Sequence, residues 1–148
     1  MTRSAPALTA TLLLSLALPA AAATHHVNLN NPAPESPYIT WATAATNIQD
    51  AIDVAEAGAE VVVTNGVYQT GARAVYGMSN RVAVTKPATV GSVNGPAVTS
   101  SVGTGPNGSN AVRCVYLANG ALLAGFTLTN GATPPGKSLA GTPVLPTM

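Results

Sequence analysis

The chain has 148 residues, of which 47% are hydrophobic and only 7% charged, against about 25% charged residues in an average globular domain. All five carboxylates fall within residues 35–60, whereas the six basic residues are spread along the chain and give a formal net charge of +1. Nucleic acids and anionic membranes bind clustered Lys and Arg, and this chain has no such cluster. We therefore expect neither a nucleic-acid partner nor an electrostatically bound membrane.

Residues 1–23 have the pattern of a cleavable secretory signal peptide. Arg3 gives a positive start, residues 8–18 form an apolar run, and Pro19 with four alanines precedes the predicted cleavage site. The apolar run is too short to span a membrane, which takes about 20 residues. The pattern predicts a secreted protein without a membrane span, located outside the cell, at the cell surface or in the periplasm.

Residues 24–40 are polar and contain three prolines, so we interpret them as a lead-in segment. Cleavage after Ala23 would leave Thr24 as the first residue and His26 as the third. A histidine at that position can capture Cu²⁺ or Ni²⁺ together with nitrogen donors in a square plane. His25 and His26 are the candidate metal ligands; the alternative is two solvated histidines on a loose end.

The one helical periodicity follows the lead-in segment. Its apolar face comprises Trp41, Ala44, Ala45, Ile48, Ala51, Ile52 and Ala55, and its polar face comprises Gln49, Asp50, Asp53 and Glu56. Thr46 and Gln49 have the spacing of a capping box, and Gly58 is a plausible stop. The pattern predicts a helix over about residues 46–56.

From Glu60 onward the chain changes to short β-branched runs separated by Gly, Pro or Asn-Gly. The predicted strands cover residues 60–64, 81–85, 88–93, 97–102, 112–117, 121–123 and 126–129. Short strands with turn residues at close, regular intervals indicate an all-β fold.

A weak internal repeat relates these strands. Residues 81–84 and 88–90 align with residues 113–116 and 121–123 at an offset of 32 or 33, and residues 93–95 align with residues 129–131 at an offset of 36. Residues 103–110 would then be an insertion. Repeats of this length made of short strands predict a solenoid of two or three coils, in which each coil buries the inner face of the next.

The sequence of the predicted helix and of the first strand after it resembles a known family. The segments Ala45-Thr46-Asn47-Ile48-Gln49-Asp50-Ala51-Ile52-Asp53-Val54-Ala55 and Val61-Val62-Val63-Thr64-Asn65-Gly66-Val67-Tyr68 are similar to the N-terminus of bacterial secreted proteins of the pectin-lyase-like superfamily. Lys86-Pro87 and Gly125-Phe126-Thr127-Leu128 resemble its later strands. The resemblance implies a right-handed parallel β-helix with an N-terminal capping helix over residues 41–131. Residues 132–148 are interpreted as a disordered or aberrant tail, and the chain as a truncated fragment.

The family includes polysaccharide lyases and glycoside hydrolases, whose chemistry requires carboxylates. Hydrolysis uses a carboxylate pair, and calcium-dependent lyases need several oxygen ligands for the metal. No Asp or Glu follows Glu60, so no acidic catalytic residue of the family has a counterpart in the strands. Arg81 or Arg113 could serve as a base, but without a metal site. The only cysteine, Cys114, is interpreted as a buried small hydrophobe.

These observations predict no catalytic, cofactor-binding or other metal site. The expected function is a non-catalytic secreted or cell-surface scaffold for structure, adhesion or weak glycan binding, with surface glycans or surface proteins as partners. The alternative is a fragment of a polysaccharide lyase or glycoside hydrolase whose catalytic coils lie in sequence that is not present.

Overall fold

A computed structural model describes residues 22–136. The predicted signal peptide and the later part of the predicted tail therefore lie almost wholly outside the described residues. Within these residues the chain forms one short α-helix, α1 (Ile48–Val54), and a 3-10 helix (Trp41–Thr43). Its strands are β1 (Thr24–Val27), β2 (Glu60–Val63), β3 (Gly66–Tyr68), β4 (Arg73–Val75), β5 (Met78–Val84), β6 (Thr89–Ser92), β7 (Thr99–Val102), β8 (Val112–Leu117), β9 (Leu122–Ala124) and β10 (Thr127–Thr129).

The strands stack as a parallel β-solenoid of about three turns, as predicted. One sheet has the order β1-β2-β6-β9, a second β3-β7-β10, and a third β4-β5-β8. All strand pairings between coils in the described residues are parallel, and β4 pairs with β5 in an antiparallel hairpin. Each sheet therefore supplies one side of the stack.

Columns of inward-facing side chains form the core. Val61 pairs with Val90, and Val82 and Val84 lie above Val115 and Leu117. Val61, Val82, Val84 and Val90 are each 0% exposed. Because one coil covers the inner face of the next, β-branched residues at matched positions bury apolar area without large aromatic side chains.

The repeat was correct in part. Val82 pairs with Val115 and Thr89 with Leu122, both at an offset of 33, so the predicted alignment of residues 88–90 is confirmed and that of residues 81–84 is wrong by one residue. The alignment at offset 36 is also wrong, because Thr129 pairs with Val102. The cause is a longer corner: residues 93–98 connect β6 to β7, whereas two residues connect β9 to β10.

Helix α1 is shorter than predicted and begins at a different cap. Asn47, not Thr46, is the N-cap, and its Oδ1 accepts from the backbone N–H of Asp50 at 3.0 Å. The predicted capping box is therefore wrong. The helix ends at Val54, because Ala55 adopts an extended conformation three residues before Gly58.

The predicted apolar face is buried, with one exception. Ala44, Ala45, Ile48, Ala51, Ile52 and Ala55 are each at most 2% exposed. Trp41 is 44% exposed and lies in the 3-10 helix, with its ring edge-on to the ring of His26 at a centroid distance of 4.4 Å.

The predicted lead-in segment begins with a strand, which, like β3 and β4, was not predicted from the sequence. Thr24–Val27 forms β1 and pairs in parallel with β2, from Thr24 opposite Glu60 to Val27 opposite Val63. A four-residue strand with two consecutive histidines has no clear alternation of apolar and polar residues, so its sequence resembles that of a loop.

At the other end, part of the predicted tail packs on the solenoid. Ala132 is 8% exposed, and the backbone N–H of Thr133 donates to Oδ1 of Asn107 at 2.9 Å. Residues 103–110 form a loop, as predicted, which the antiparallel bridge between Thr104 and Val112 closes.

Candidate functional site

A groove of about 660 Å³ runs beside α1 and the β4–β5 hairpin. Its volume lies within the roughly 300–1,000 Å³ typical of small-molecule sites. Its lining residues come from α1, from β4 and the turn after it, from the segment after β5, and from the end of β8 and the residue after it. They are Gln49, Asp53, Arg73, Ala74, Val75, Tyr76, Thr85, Lys86, Tyr116 and Ala118.

A hairpin turn places the most exposed aromatic side chain at the groove. Tyr76 and Gly77 connect β4 to β5 with φ angles of 51° and 70°. Two successive residues with positive φ are typical of a type I′ turn, whose twist matches that of the flanking strands. The turn projects Tyr76 outward, and its side chain is 76% exposed.

A second tyrosine lies beside the first. The rings of Tyr76 and Tyr116 meet edge to face, with a centroid distance of 6.0 Å and an interplanar angle of 71°. The pKa of Tyr116 is raised above its usual value, mainly through a hydrogen bond with Tyr76 and also through desolvation. The strongly exposed ring of Tyr76 is therefore available to a ligand.

The wall formed by α1 carries the only carboxylate among the lining residues. Asp53 Oδ2 forms an ion pair with Arg73, and Asp53 Oδ1 accepts from Nε2 of Gln49 at 2.8 Å. Both carboxylate oxygens are therefore occupied, and Asp53 holds Arg73 in place. No second carboxylate is present among the lining residues to form the pair that acid–base hydrolysis uses. Lys86 Nζ donates to the carbonyl of Ala55 at the end of α1.

Gln49 fixes α1 to the solenoid beneath the groove. It is 5% exposed, contrary to its predicted place on the polar face of the helix. Its Oε1 accepts from the backbone N–H of Ala83 at 2.8 Å, and its Nε2 donates to the carbonyl of Ala83 at 3.3 Å. This side-chain amide pairs with β5 as a neighbouring strand would.

His25 and His26 are part of β1 and not of a loose end. His25 is 4% exposed, and its Nδ1 lies 2.7 Å from the carbonyl oxygen of Pro37. The backbone N–H of His26 donates to the carbonyl of Tyr38 at 2.7 Å. Metal capture through backbone nitrogens would have to break this bond. Within residues 22–136, no three His, Cys, Asp or Glu side chains are grouped to hold a metal ion.

The two arginines considered as bases hold loops and coils together. Arg81 is 8% exposed and donates to the carbonyls of Val102 and Gly71 and to Oγ1 of Thr104. Desolvation lowers its pKa, and Cys114 partly opposes this shift. Arg113 Nε donates to Oδ1 of Asn80 in the coil above, at 2.9 Å.

Cys114 is half-buried, so the interpretation as a buried residue was correct only in part. Its Sγ donates to the carbonyl of Thr129 at 3.1 Å.

The sequence does not indicate the groove residues as a group. Arg73 and Lys86 looked like scattered surface charges, and Tyr76 and Tyr116 are 40 positions apart. The one usable signal was Val75-Tyr76-Gly77-Met78, in which Gly between β-forming residues indicates a hairpin turn.

Neither a membrane-spanning helix nor a similarity to a known protein points to a function for the chain. Among the described residues, no helix has the length and apolar character needed to traverse a bilayer. The chain matches no protein-family model, no curated protein and no solved structure. The strand pairing by itself shows a parallel β-solenoid. Because no known protein matches, the resemblance to the pectin-lyase-like superfamily stays a prediction.

Proposed function

We propose that the protein is a non-catalytic, exported β-solenoid of the pectin-lyase-like type that binds saccharides weakly in the groove beside α1. The pair Tyr76 and Tyr116 is the observation that carries this proposal. Sugar rings present apolar C–H faces and a rim of hydroxyls, and a tyrosine offers a matching flat apolar body with a polar tip.

The polar lining residues complement this aromatic pair. Arg73 and Lys86 line the same groove and have more N–H groups than the single bonds to Asp53 and Ala55 use, and the phenols donate and accept. With one carboxylate that is already paired, the groove supports recognition of hydroxyl groups and does not support cleavage of a glycosidic bond. Export follows from the signal-peptide pattern in residues 1–23.

The test is a titration of the purified chain with a panel of neutral and acidic oligosaccharides, followed by calorimetry or by chemical shifts of the groove residues. Tyr76→Ala should weaken binding about 5- to 30-fold, the equivalent of roughly 1–2 kcal/mol. Because Tyr76 is exposed in a turn, this change should leave the fold intact.

Leu122→Ala is the matched control, because Leu122 is 53% exposed but does not line the groove. The control should bind like the unmodified protein. Equal affinity of Tyr76→Ala and the unmodified protein, absence of binding across the panel, or release of shortened oligosaccharides would each contradict the proposal.

A further inference from the structure

The chain contains five Asn-Gly dipeptides, at Asn65, Asn94, Asn107, Asn119 and Asn130. Asn-Gly is the dipeptide most prone to spontaneous deamidation, because glycine has no side chain to shield its backbone nitrogen. The five sites have the same local chemistry, so the fold decides which of them reacts.

The reaction requires a free asparagine side chain and a free glycine N–H. The backbone nitrogen of the glycine loses its proton and attacks Cγ of the asparagine, and ammonia leaves as the Cγ–Nδ2 bond breaks. Water then opens the resulting succinimide ring and yields aspartate or isoaspartate. No oxidant or other co-reactant is needed.

Two sites are held at both reacting groups. Nδ2 of Asn94 donates to Oδ1 of Asn65 at 2.7 Å. The N–H of Gly66 donates to the carbonyl of Val98 at 3.0 Å, and that of Gly95 donates to Oγ of Ser92 at 3.2 Å. Deamidation at Asn65 or Asn94 must break these bonds first.

Two further sites are held at the side chain only. Oδ1 of Asn107 accepts from the backbone N–H of Thr133 at 2.9 Å. Nδ2 of Asn130 lies 3.5 Å from the carbonyl of Gly103.

Asn119 and Gly120 differ from the other four pairs. Both are exposed, and within residues 22–136 neither the Asn119 side chain nor the Gly120 N–H makes a hydrogen bond. They form the turn between β8 and β9, which the N–H of Ala121 closes by donating to the carbonyl of Ala118 at 3.1 Å. Both flanking strands belong to the last coil and have no partner on their outer side within the described residues.

We infer that Asn119 is the principal deamidation site of this protein. The product places a carboxylate in a stretch that has no Asp or Glu after Glu60, directly beside Ala118 in the groove wall. Deamidation at this position therefore changes the charge beside the groove as the protein ages.

The experiment incubates the purified, folded chain at mildly alkaline pH and follows all five sites by peptide mapping with mass spectrometry. Each hydrogen bond that must break first slows the reaction by roughly two- to tenfold. Asn119 should therefore react about tenfold or more faster than Asn65 and Asn94, and also faster than Asn107 and Asn130.

Two controls make the result decisive. In denaturant the five rates should converge, because the hydrogen bonds that separate them are gone. Asn119→Gln should remove the fast phase of ammonia release from the folded chain. A folded chain in which any other site reacts as fast as Asn119, or a fast phase that survives Asn119→Gln, would overturn the inference.

Discussion

Gln49 shows how one residue can replace a strand at the end of a solenoid. The first half of β5 pairs with β4, but the second half has no strand on that side. The amide of Gln49 presents one acceptor and one donor in the geometry of a peptide group, so it satisfies both backbone groups of Ala83.

Gln49→Leu tests this role. Leucine has a similar volume but leaves the N–H and carbonyl of Ala83 buried without a partner, at a cost of about 1–3 kcal/mol for each group. We expect the free energy of unfolding in urea to fall by about 2–6 kcal/mol. Glu56→Gln, an exposed change just after the same helix, should stay within about 0.5 kcal/mol; a similar loss in both variants would contradict the role of Gln49.

At the scale of elements, local pattern predicted seven of the ten described strands, missed β1, β3 and β4, and misplaced the helix cap. The prediction for β8 matched the observed bounds exactly at Val112 and Leu117, because β-branched runs bounded by turn residues are a strong local signal. The start of α1 was misplaced because Thr46 and Asn47 are both good cap residues, and only packing of the chain before the helix selects Asn47. The groove could not be predicted, because stacking of the coils brings its walls together.

Burial falls at the last described coil of the inward-facing columns. Val84 is 0% exposed, whereas Leu117, directly below it, is 41% exposed. Likewise Tyr68 is 2% exposed, and Leu128, two coils below it in the same column, is 46% exposed. The described part of the last coil therefore receives contacts from one side only.

This gradient predicts unequal costs for the same substitution. Val82→Ala removes two methyl groups from a fully covered site, which corresponds to about 2 kcal/mol of transfer and cavity energy. Val115→Ala, in the same column one coil lower, should cost about half as much, because part of that area already contacts solvent. Urea unfolding of both variants checks this, and a larger loss for Val115→Ala would show that the last coil is covered.

The whole molecule has few ionisable groups, so individual tyrosines shape its response to alkali. Burial raises the pKa of Tyr68, and its hydrogen bond to Thr64 opposes the shift only in part. The folded state therefore keeps this proton at a pH where the unfolded chain has lost it.

The sign of the pH dependence follows from this difference. Stability from Tyr68 is fully present below its unfolded pKa of about 10 and is lost as pH rises from there through the folded value. We expect the urea midpoint to decrease above about pH 10 and Tyr68→Phe to flatten that decrease. A decrease of the same size in Tyr68→Phe would assign it to other groups.

The corner at residues 93–98 shows that coil length in this molecule is not fixed. It adds residues at the side of the stack, yet the strands on either side of it, β6 and β7, stay paired with β2 and β3 above and with β9 and β10 below. A foreign peptide can therefore be inserted at this position, for example as a displayed epitope, while β6 and β7 keep their hydrogen-bonded register with the neighbouring strands.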